Sequence, residues 1–482
     1  MPKEYLRDIV VLLPGAMGSV LQKDGRDIWP PVSGLAGLQN IKNWGPSSQY
    51  LFLGKDDPDA DDLEDGIRAT RLISNFHIFP GWVKFYNGYS DIARLITDIF
   101  EVRQGSIQDK RPANFFEFPY DWRRDSRVAA RQLEKIIDEK LHLWRVYSGE
   151  KDAKVIFLAH SMGGLVARHY LEVRDRWQDC RALITFGTPY RGSLKAVSFL
   201  ANGYKLLSVD LIEHIRSFTS SYQLLPIYKA VKTSGGYKRV AEMDGISVVE
   251  RRRAEEALAF HREIQDAVTR HRKDEEYCES GYKILPVVGI CQPTVQSAEL
   301  VDGRLVVSYQ LPEGIDQRLE DGDGTVPMLS AIPIELSNRY EEKFVPERHA
   351  SLQRNQTVLS FVGDRLKRMQ IEKWDKIWGP GTKPEIMGYS AISLDLDDLY
   401  SVEEPIELRA RLLNVSKSAG ALQARIEAIE RNGEGALKRE FHESGGEWVL
   451  RMEGVPPGLY SLTVYASQAA VPAVHDLFAV VG

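Results

Sequence analysis

One serine in the middle of the chain stands at a junction that few folds contain. An apolar run at residues 155–158 is followed by Ala159-His160-Ser161-Met162-Gly163-Gly164, and a helical pattern begins at residue 165. A sharp turn from strand to helix forces its central residue into a strained backbone conformation, and only small residues fit two positions before and after it. The turn lifts the Ser161 hydroxyl clear of the sheet. The pattern predicts a nucleophile; the alternative is a serine in an ordinary strand–helix junction.

Short apolar runs alternate with helical stretches from about residue 1 to about residue 370. This alternation is typical of a mostly parallel sheet with helices on both faces. The clearest strands are expected at 9–13, 155–158, 183–186 and 284–290. In this setting the turn at Ser161 is the nucleophile elbow of an α/β-hydrolase fold, with Ala159 in place of the first glycine of G-x-S-x-G. We therefore expect the α/β class and this fold.

Two segments interrupt the alternation. Residues 29–62 contain many glycines, prolines and aromatic residues without a steady period, and we interpret them as a lid or as a plain surface excursion. The charged segment 249–279 carries apolar residues at helical spacing. It is expected to form one amphipathic helix packed on the globule, as a solvated outer helix rather than a contact for a partner or a membrane.

A change of composition at residues 378–384, Trp-Gly-Pro-Gly-Thr-Lys-Pro, predicts a linker. We therefore expect a hydrolase domain over 1–378 and a second domain over 384–482. About seven strand-like segments follow the linker, among them 406–413, 424–429, 448–452 and 460–465. They predict an immunoglobulin-like or fibronectin-like β-sandwich. Since it shows no chemical site, we interpret it as an interaction module that could bind a protein partner.

Charge and cysteine content limit the classes of function. The net charge of −6 argues against a general nucleic-acid binder, which needs a basic face. The three cysteines, Cys180, Cys278 and Cys291, have no metal-ligand spacing, so neither a disulfide framework nor a metal site is expected, and a reducing compartment is indicated. The run 9–13 is too short for a membrane span and lacks the flanks of a signal peptide. We expect a cytoplasmic protein without a cofactor, peripheral at the inner membrane face at most.

A serine hydroxyl attacks only after a base removes its proton, and an acid must hold that base in one tautomer. In this fold the acid and then the histidine follow the serine along the chain. Asp323, in Asp-Gly-Asp-Gly-Thr-Val-Pro at 321–327, is the candidate acid. We prefer it to Asp321 because Gly324 directly after it permits a tight turn. A surface turn without a role is the alternative.

The candidate base is His349, in a loop just before a helical stretch that would close the hydrolase domain. His442 and His475 fall inside the proposed sandwich and are expected to lie far from the sheet. His160, next to the nucleophile, is expected to point away from Ser161, and we interpret it as structural.

The oxyanion that forms on the attacked carbonyl needs N–H donors, and losing one costs about 3 kcal/mol of barrier. The amide of Met162 is the expected first donor. The loop Pro14-Gly15-Ala16-Met17-Gly18-Ser19 is the candidate for the second, through the amide of Ala16. This loop lacks the Lys-Ser/Thr of a P-loop and the full G-x-G-x-x-G, so nucleotide binding is a weak alternative.

Six motifs appear in one order along residues 8–365, and together they resemble the lecithin:cholesterol acyltransferase and lysosomal phospholipase A2 family. They are Pro14-Gly15-Ala16-Met17-Gly18-Ser19, Pro119-Tyr120-Asp121-Trp122-Arg123, Ala159-His160-Ser161-Met162-Gly163-Gly164, Phe186-Gly187-Thr188-Pro189, Gly322-Asp323-Gly324-Thr325-Val326 and His349. The resemblance implies a Ser161–Asp323–His349 triad with the Ala16 and Met162 amides as oxyanion hole. It also implies that the segment from Trp29 onward is a lid and membrane-contacting region, in which the substrate-binding residues are Trp29, Leu35, Leu38 and Trp44.

The expected function is that of a serine acyl hydrolase or acyltransferase on lipid esters, with glycerophospholipids as substrates. The sequence shows no counterpart of the signal peptide and lid disulfide of secreted family members, which favours a cytoplasmic enzyme. The acyl acceptor, water or an alcohol, stays open. Two other functions also stay open: an esterase for small soluble esters, and a catalytically silent scaffold. Since a phospholipase facing its own membrane needs restraint, we expect the lid or the sandwich to supply it.

Overall fold

A parallel sheet organises the amino-terminal part of the chain. In the computed structural model we describe residues 2–30, 48–73, 77–79, 83–85, 89–202, 205–206, 209–210, 212–243, 246, 249–301, 304–336, 343–371, 389–415, 420–429, 436–467 and 471–481. Over these ranges the sheet has seven strands: β1 (Ile9–Leu13), β2 (Gln104–Gly105), β3 (Phe115–Glu117), β4 (Val155–His160), β5 (Cys180–Phe186), β6 (Lys283–Gly289) and β7 (Lys343–Val345).

The strand order is β7-β6-β5-β4-β1-β3-β2, and every neighbouring pair is parallel. Strands β1 and β4 lie side by side inside the sheet, and all their residues are buried. This explains why both appear in the sequence as continuous apolar runs instead of alternating ones. The strands predicted at 9–13, 155–158, 183–186 and 284–290 are confirmed, and the sheet is that of an α/β-hydrolase fold.

Helices connect the strands of the sheet. Those of the described ranges are α1 (Ser90–Ile99), α2 (Ser126–Ser148), α3 (Met162–Arg168), α4 (Leu194–Asn202), α5 (Ile212–Ser217), α6 (Thr219–Gln223), α7 (Arg251–His271), α8 (Glu275–Ser280), α9 (Met328–Ala331) and α10 (Gln356–Met369). Among these described helices, none is long and apolar enough to cross a bilayer.

Small sheets and strand pairs lie outside the central sheet. The described ones are Ser19–Lys23 with Arg26–Trp29 and Ile67–Leu72; Val231–Thr233 with Gly236–Lys238, Ser297–Val301 and Arg304–Ser308; Glu4–Tyr5 with Phe100–Glu101; His77–Phe79 with Val83–Phe85; and Lys205–Leu206 with Val209–Asp210.

The predicted helix at 249–279 is two helices, α7 and α8. Its apolar face is buried as expected, with Ala254, Ala257 and Ile264 among the buried residues. The prediction of a single helix was wrong because α7 ends before residues 272–274 and α8 begins after them. There the side chain of Asp274 caps α8 by accepting hydrogen bonds from the amides of Glu276, at 2.8 Å, and Tyr277, at 3.4 Å.

One buried histidine of α7 makes the stability of the protein sensitive to acid. His261 is 2% exposed. Its Nε2 donates to the carbonyl of Gln223 at 2.7 Å. Burial, with a smaller contribution from Arg127, lowers the pKa of His261 to about 4. The unfolded chain, with an ordinary pKa of about 6.5, therefore binds the proton first as the pH falls.

When the pH falls from 7 to 5, we expect His261 to lower the free energy of unfolding by about 2 kcal/mol. The reason is that the histidine takes up a proton in the unfolded chain but stays neutral in the folded one. Urea denaturation at both pH values measures this loss. The substitution His261→Gln, which keeps an N–H donor, should remove it. His142→Gln, at an exposed position of α2, should leave it unchanged. An equal loss in both variants would contradict the prediction.

The carboxy-terminal part of the chain is a two-sheet sandwich. In the described parts of residues 389–481 it has nine strands: β8 (Ala391–Asp395), β9 (Leu399–Ser401), β10 (Ile406–Leu413), β11 (Leu422–Ala428), β12 (Leu437–Glu440), β13 (His442–Ser444), β14 (Glu447–Met452), β15 (Gly458–Ala466) and β16 (Val474–Val481). The sheet orders are β8-β10-β14-β13 and β9-β16-β15-β11-β12. Neighbours are antiparallel except β9 and β16.

Residues from both sheets, including Leu408, Ile426 and Phe478, form one buried core in this sandwich. The sequence predicts about seven strands, and the described residues form nine. Strands β12 and β13 have no buried residue, so they carry little pattern by which a strand is recognised. The expected linker at 378–384 lies outside the described residues, so the proposed domain boundary stays a prediction.

Candidate active site

Ser161, Asp323 and His349 meet at one edge of the parallel sheet. Ser161 follows β4 directly, and His349 lies four residues after the end of β7. Asp323 comes after β6, where residues 292 and 322–323 form isolated bridges next to the strand end. Because the carboxyl ends of parallel strands share one edge, three segments far apart in the sequence are brought together.

The three side chains form a chain of hydrogen bonds. His349 Nε2 lies 3.1 Å from Ser161 Oγ, and His349 Nδ1 lies 2.6 Å from Asp323 Oδ2. Asp323 is 1% exposed, and its Oδ1 accepts from the amides of Thr325 and Val326 at 2.9 and 2.7 Å. A carboxylate held in this way fixes the proton on Nδ1, which leaves Nε2 free to accept the serine proton.

The backbone of the elbow is strained, as the sequence predicts. Ser161 has φ 51° and ψ −125°, which is a costly conformation for a residue with a side chain. A Cβ atom on Gly163 would lie 2.4 Å from the carbonyl oxygen of Pro14, and one on Gly164 would lie 2.1 Å from Thr188 Oγ1. The glycines therefore let α3 start directly against the loop after β1 and the segment after β5.

The two expected oxyanion donors, the amides of Met162 and Ala16, belong to segments that adjoin Ser161. Met162 is the first residue of α3, where a backbone amide has no partner within the helix. Ala16 lines the pocket into which Ser161 opens. A Cβ atom on Gly15, beside Ala16, would lie 2.8 Å from the Cβ of Ser161, so only glycine allows this approach. The role of the two amides stays a prediction.

His160 contacts the site, although the sequence suggests that it points away. Its Nδ1 lies 3.2 Å from the hydroxyl of Tyr89, which accepts from the amide of Gly15 at 2.9 Å. Its Nε2 lies 3.4 Å from the carbonyl oxygen of His349, and the two imidazole rings are 4.9 Å apart. Burial, reinforced by His349, lowers the pKa of His160 well below its usual range. A neutral His160 thus connects the Gly15 loop to the backbone of His349. Its place next to Ser161 was the one signal for this role.

Half of the proposed lid, residues 31–47, lies outside the described residues, and this half includes Leu35, Leu38 and Trp44. Trp29 is described and is 3% exposed. Its Nε1 donates to the carbonyl of Met17 at 2.9 Å, and its ring packs edge-on against Trp122. Trp29 therefore contacts the loop of Ala16 from within the core, so its proposed substrate contact stays a prediction.

The pocket at Ser161 has a mixed lining. Apolar side chains of Ala16, Leu224 and Val326 contribute to it, and Asp398 and Asp476 of the sandwich do so as well. Within the described ranges, no group of three or more His, Cys, Asp or Glu side chains is arranged to hold a metal ion.

His475 lies next to the loop of His349, so the expectation that it is remote was wrong. Its Nδ1 is 2.8 Å from Oε2 of Glu347, two residues before His349. Sequence reasoning missed this pair because the two residues are far apart in the chain and belong to different units. The one available signal for this contact was His475 itself, a histidine in a strand without an obvious role.

Gly187 is the position at which an added methyl group should damage the site most directly. It has φ +57°, and a Cβ atom there would lie 2.8 Å from both Asp323 Oδ2 and His349 Nδ1. We expect Gly187→Ala to lower kcat/KM about 100-fold by displacing these groups. Gly149→Ala is the matched control, because Gly149 also has positive φ, +80°, but no atom within 4 Å of an added Cβ.

Both variants should lose about 1–2 kcal/mol of stability from the left-handed conformation, and only Gly187→Ala should lose activity. Kinetics on a chromogenic ester and urea denaturation measure the two effects. Equal activity of both variants would show that the contact does not matter.

Comparison with known proteins shows which family part of the chain resembles. Residues 104–274 match the family model described as lecithin:cholesterol acyltransferase. The matched segment includes Ser161, whereas Asp323 and His349 lie beyond it. The uncharacterised protein YJR098C of Saccharomyces cerevisiae is 30% identical over 187 residues, which cover 38% of this chain and 23% of the yeast protein. The chain thus spans about a quarter of that relative.

Among solved structures, the Bacillus licheniformis lipase BlEst2 in its propeptide form is similar at 13% identity with a TM-score of 0.33, over 97% of this chain and 74% of that one. A likeness of this size carries no argument about fold or function. The fold is assigned from the sheet, and the type of enzyme from the family match together with that sheet. Over residues 104–274 the resemblance to the lecithin:cholesterol acyltransferase family is confirmed, and with the α/β-hydrolase sheet it supports an enzyme of the acyl hydrolase or acyltransferase type.

Proposed function

We propose that this protein is a serine acyl hydrolase or acyltransferase that acts on lipid esters, with glycerophospholipids as substrates. The observation that carries the proposal is the hydrogen-bonded chain from Ser161 Oγ through His349 to Asp323, at the wall of a pocket. The family match favours an acyl ester over other substrates of serine nucleophiles.

In the proposed first half-reaction, Ser161 Oγ attacks the ester carbonyl while His349 Nε2 takes the hydroxyl proton. The tetrahedral intermediate carries its negative charge on the former carbonyl oxygen, where the amides of Ala16 and Met162 donate to it. Asp323 stays ionised and stabilises the imidazolium. When the intermediate collapses, His349 gives its proton to the leaving alcohol, and the acyl group remains on Ser161.

In the second half-reaction, His349 removes a proton from the incoming acceptor, which attacks the acyl carbon of the acyl-enzyme. The bond from the acyl carbon to Ser161 Oγ then breaks, and His349 returns the proton to the serine. Water as acceptor releases a free fatty acid, and an alcohol as acceptor yields a new ester. The two outcomes share every step up to the acyl-enzyme. The same residues therefore serve hydrolysis and transfer, and the supply of acceptor decides between them.

A mixed lipid extract tests the proposed substrate class. The wild-type protein and its Ser161→Ala variant are incubated separately with the extract, and the products are identified by mass spectrometry. We expect lysophospholipids, together with free fatty acids or new acyl esters, in the wild-type sample alone. Turnover limited to short soluble esters, with no increase when the substrate forms micelles, would indicate a small-ester esterase. No turnover and no labelling by a fluorophosphonate would indicate a silent scaffold.

A further inference from the structure

The sandwich contacts the loop that carries His349 through a buried carboxylate. Glu347 is 0% exposed. From the sandwich, its Oε1 accepts from the amide of His475 at 3.0 Å and its Oε2 accepts from Nδ1 of the same histidine at 2.8 Å. From its own domain it accepts from the amide of Arg348 at 2.9 Å and from Nδ2 of Asn355 at 3.0 Å. A buried carboxylate needs such donors, so the loop depends on β16 for part of its stability.

The next residue of the loop is bound to the sandwich as well. Arg348 Nε lies 2.5 Å from Asp476 Oδ2, and its Nη1 donates to the carbonyl of Leu394 in β8 at 2.6 Å. The side chains of Arg348 and Asp476 are 14% and 2% exposed, so solvent screens this ion pair little. Although burial opposes it, Asp476 together with Asp398 and Asp395 raises the pKa of Arg348.

The sandwich also contacts the segment next to Asp323. Gln292 is 0% exposed; its side chain donates to the carbonyl of Ile392 at 3.0 Å and accepts from the amide of Leu394 at 3.1 Å. The amide of Gln292 donates to the carbonyl of Gly322 at 3.0 Å. One sandwich strand, β8, is therefore bound to the neighbours of both Asp323 and His349.

The contacts of Glu347 and Arg348 lie two residues and one residue before the base His349. His349 follows Arg348 directly, and its amide donates to the carbonyl of Asp323 at 2.9 Å. A shift of the Glu347–Arg348 segment would therefore move the His349 ring relative to Ser161. Displacements of about 1 Å in such a site typically cost about 100-fold in rate.

We propose that the sandwich is a positioning element for the base His349, and that His475 and Asp476 of β16 are its positioning residues. The inference rests on the proposed function, since it assigns His349 as the base. It gives the sandwich a supporting role, in contrast to the restraint that the sequence suggests.

The test compares three substitutions in the full chain. His475→Ala removes the side-chain donor to Glu347, and His475→Asn keeps an N–H donor close to the position of Nδ1. His442→Ala is the matched control, because His442 is exposed in β13 of the same sandwich. We measure kcat and KM on a soluble ester, and both the rate and the final extent of labelling of Ser161 by a fluorophosphonate.

We expect His475→Ala to lower kcat and the labelling rate about 10- to 100-fold with KM nearly unchanged, whereas His475→Asn recovers most of the rate and His442→Ala resembles the wild type. The final extent of labelling should stay complete, because every molecule keeps its nucleophile. A role confined to folding would instead lower the labelled fraction at an unchanged rate, and that result would overturn the proposal.

Asp476→Asn provides a second variant should His475→Ala fail to fold. It keeps the size of the side chain, and we expect the same slow but complete labelling. Equal rates in all variants, with an active wild type, would overturn the positioning role alone. A wild-type protein that neither labels nor turns over an ester would overturn the proposed function and this inference with it.

Discussion

Replacing Ser161 by alanine should abolish turnover and fluorophosphonate labelling together. His349 Nε2 lies 3.1 Å from the hydroxyl oxygen of Ser161. Without this hydroxyl, His349 and Asp323 have no nucleophile to activate. Loss of the serine in a comparable triad lowers kcat roughly 10⁶-fold, which leaves rates near the background of ordinary ester assays. Stopped ester assays and mass spectrometry of the labelled protein measure the two losses.

Ser444→Ala is the control for this substitution, because Ser444 is exposed at the end of β13. It should label and turn over like the wild type. Label that remains on the Ser161→Ala protein would place the reactive hydroxyl elsewhere, and the proposed mechanism would then be wrong. The unfolding midpoint should change little, since alanine at 161 keeps the same strained backbone without adding a new contact.

The second-largest effect is expected for Asp323→Asn. The asparagine oxygen can still accept from the amides of Thr325 and Val326, so the turn should keep its shape. Its amide group, however, would face His349 Nδ1 as a donor and so favour the tautomer with the proton on Nε2. An Nε2 that carries a proton cannot accept one from Ser161, and the expected loss in kcat is about 10⁴-fold.

Asp321→Asn is the matched control, since Asp321 lies in the same turn and was the alternative acid in the sequence. Burial, with a smaller contribution from Glu320, raises the pKa of Asp321 to about 6. A carboxyl with this pKa is still mostly ionised at pH 7, so the control removes a charge from the same turn. Asparagine also adopts the positive φ of 64° found at this position, so the turn should keep its shape and the rate should change little. A larger loss from Asp321→Asn than from Asp323→Asn would reverse the assignment. Steady-state kinetics at pH 7 and pH 8 decide between them.

Local signals suffice for the four adjacent strands β1, β4, β5 and β6 and for the residues that meet at their edge, but not for the short strands β2, β3 and β7. Each strand around Ser161 is a continuous apolar run, since it is buried on both faces, and the elbow needs small residues for steric reasons that a short sequence displays. Asp323 and His349 follow from the order of the triad along the chain and from a glycine-containing turn. These features depend on neighbours in the sequence, and so they could be predicted.

The remaining features depend on contacts between distant segments. The pairs Glu347–His475 and Arg348–Asp476 form only when the sandwich docks on the sheet edge, and neither partner carries a local pattern. Strands β12 and β13 have no buried residue, so nothing in their composition distinguishes them from loops. The contact between His160 and His349 likewise arises where the end of β4 packs against the loop after β7.

The burial of Glu347 has a consequence for how related sequences diverge. A carboxylate without exposure to water is tolerated only while its donors are present, so a change at position 475 should be accompanied by a change at 347, and a change at 476 by one at 348. Homologues that have lost the sandwich should carry an uncharged residue at the position of Glu347, two residues before the histidine that corresponds to His349. In evolution, the two units are therefore expected to be inherited as a pair.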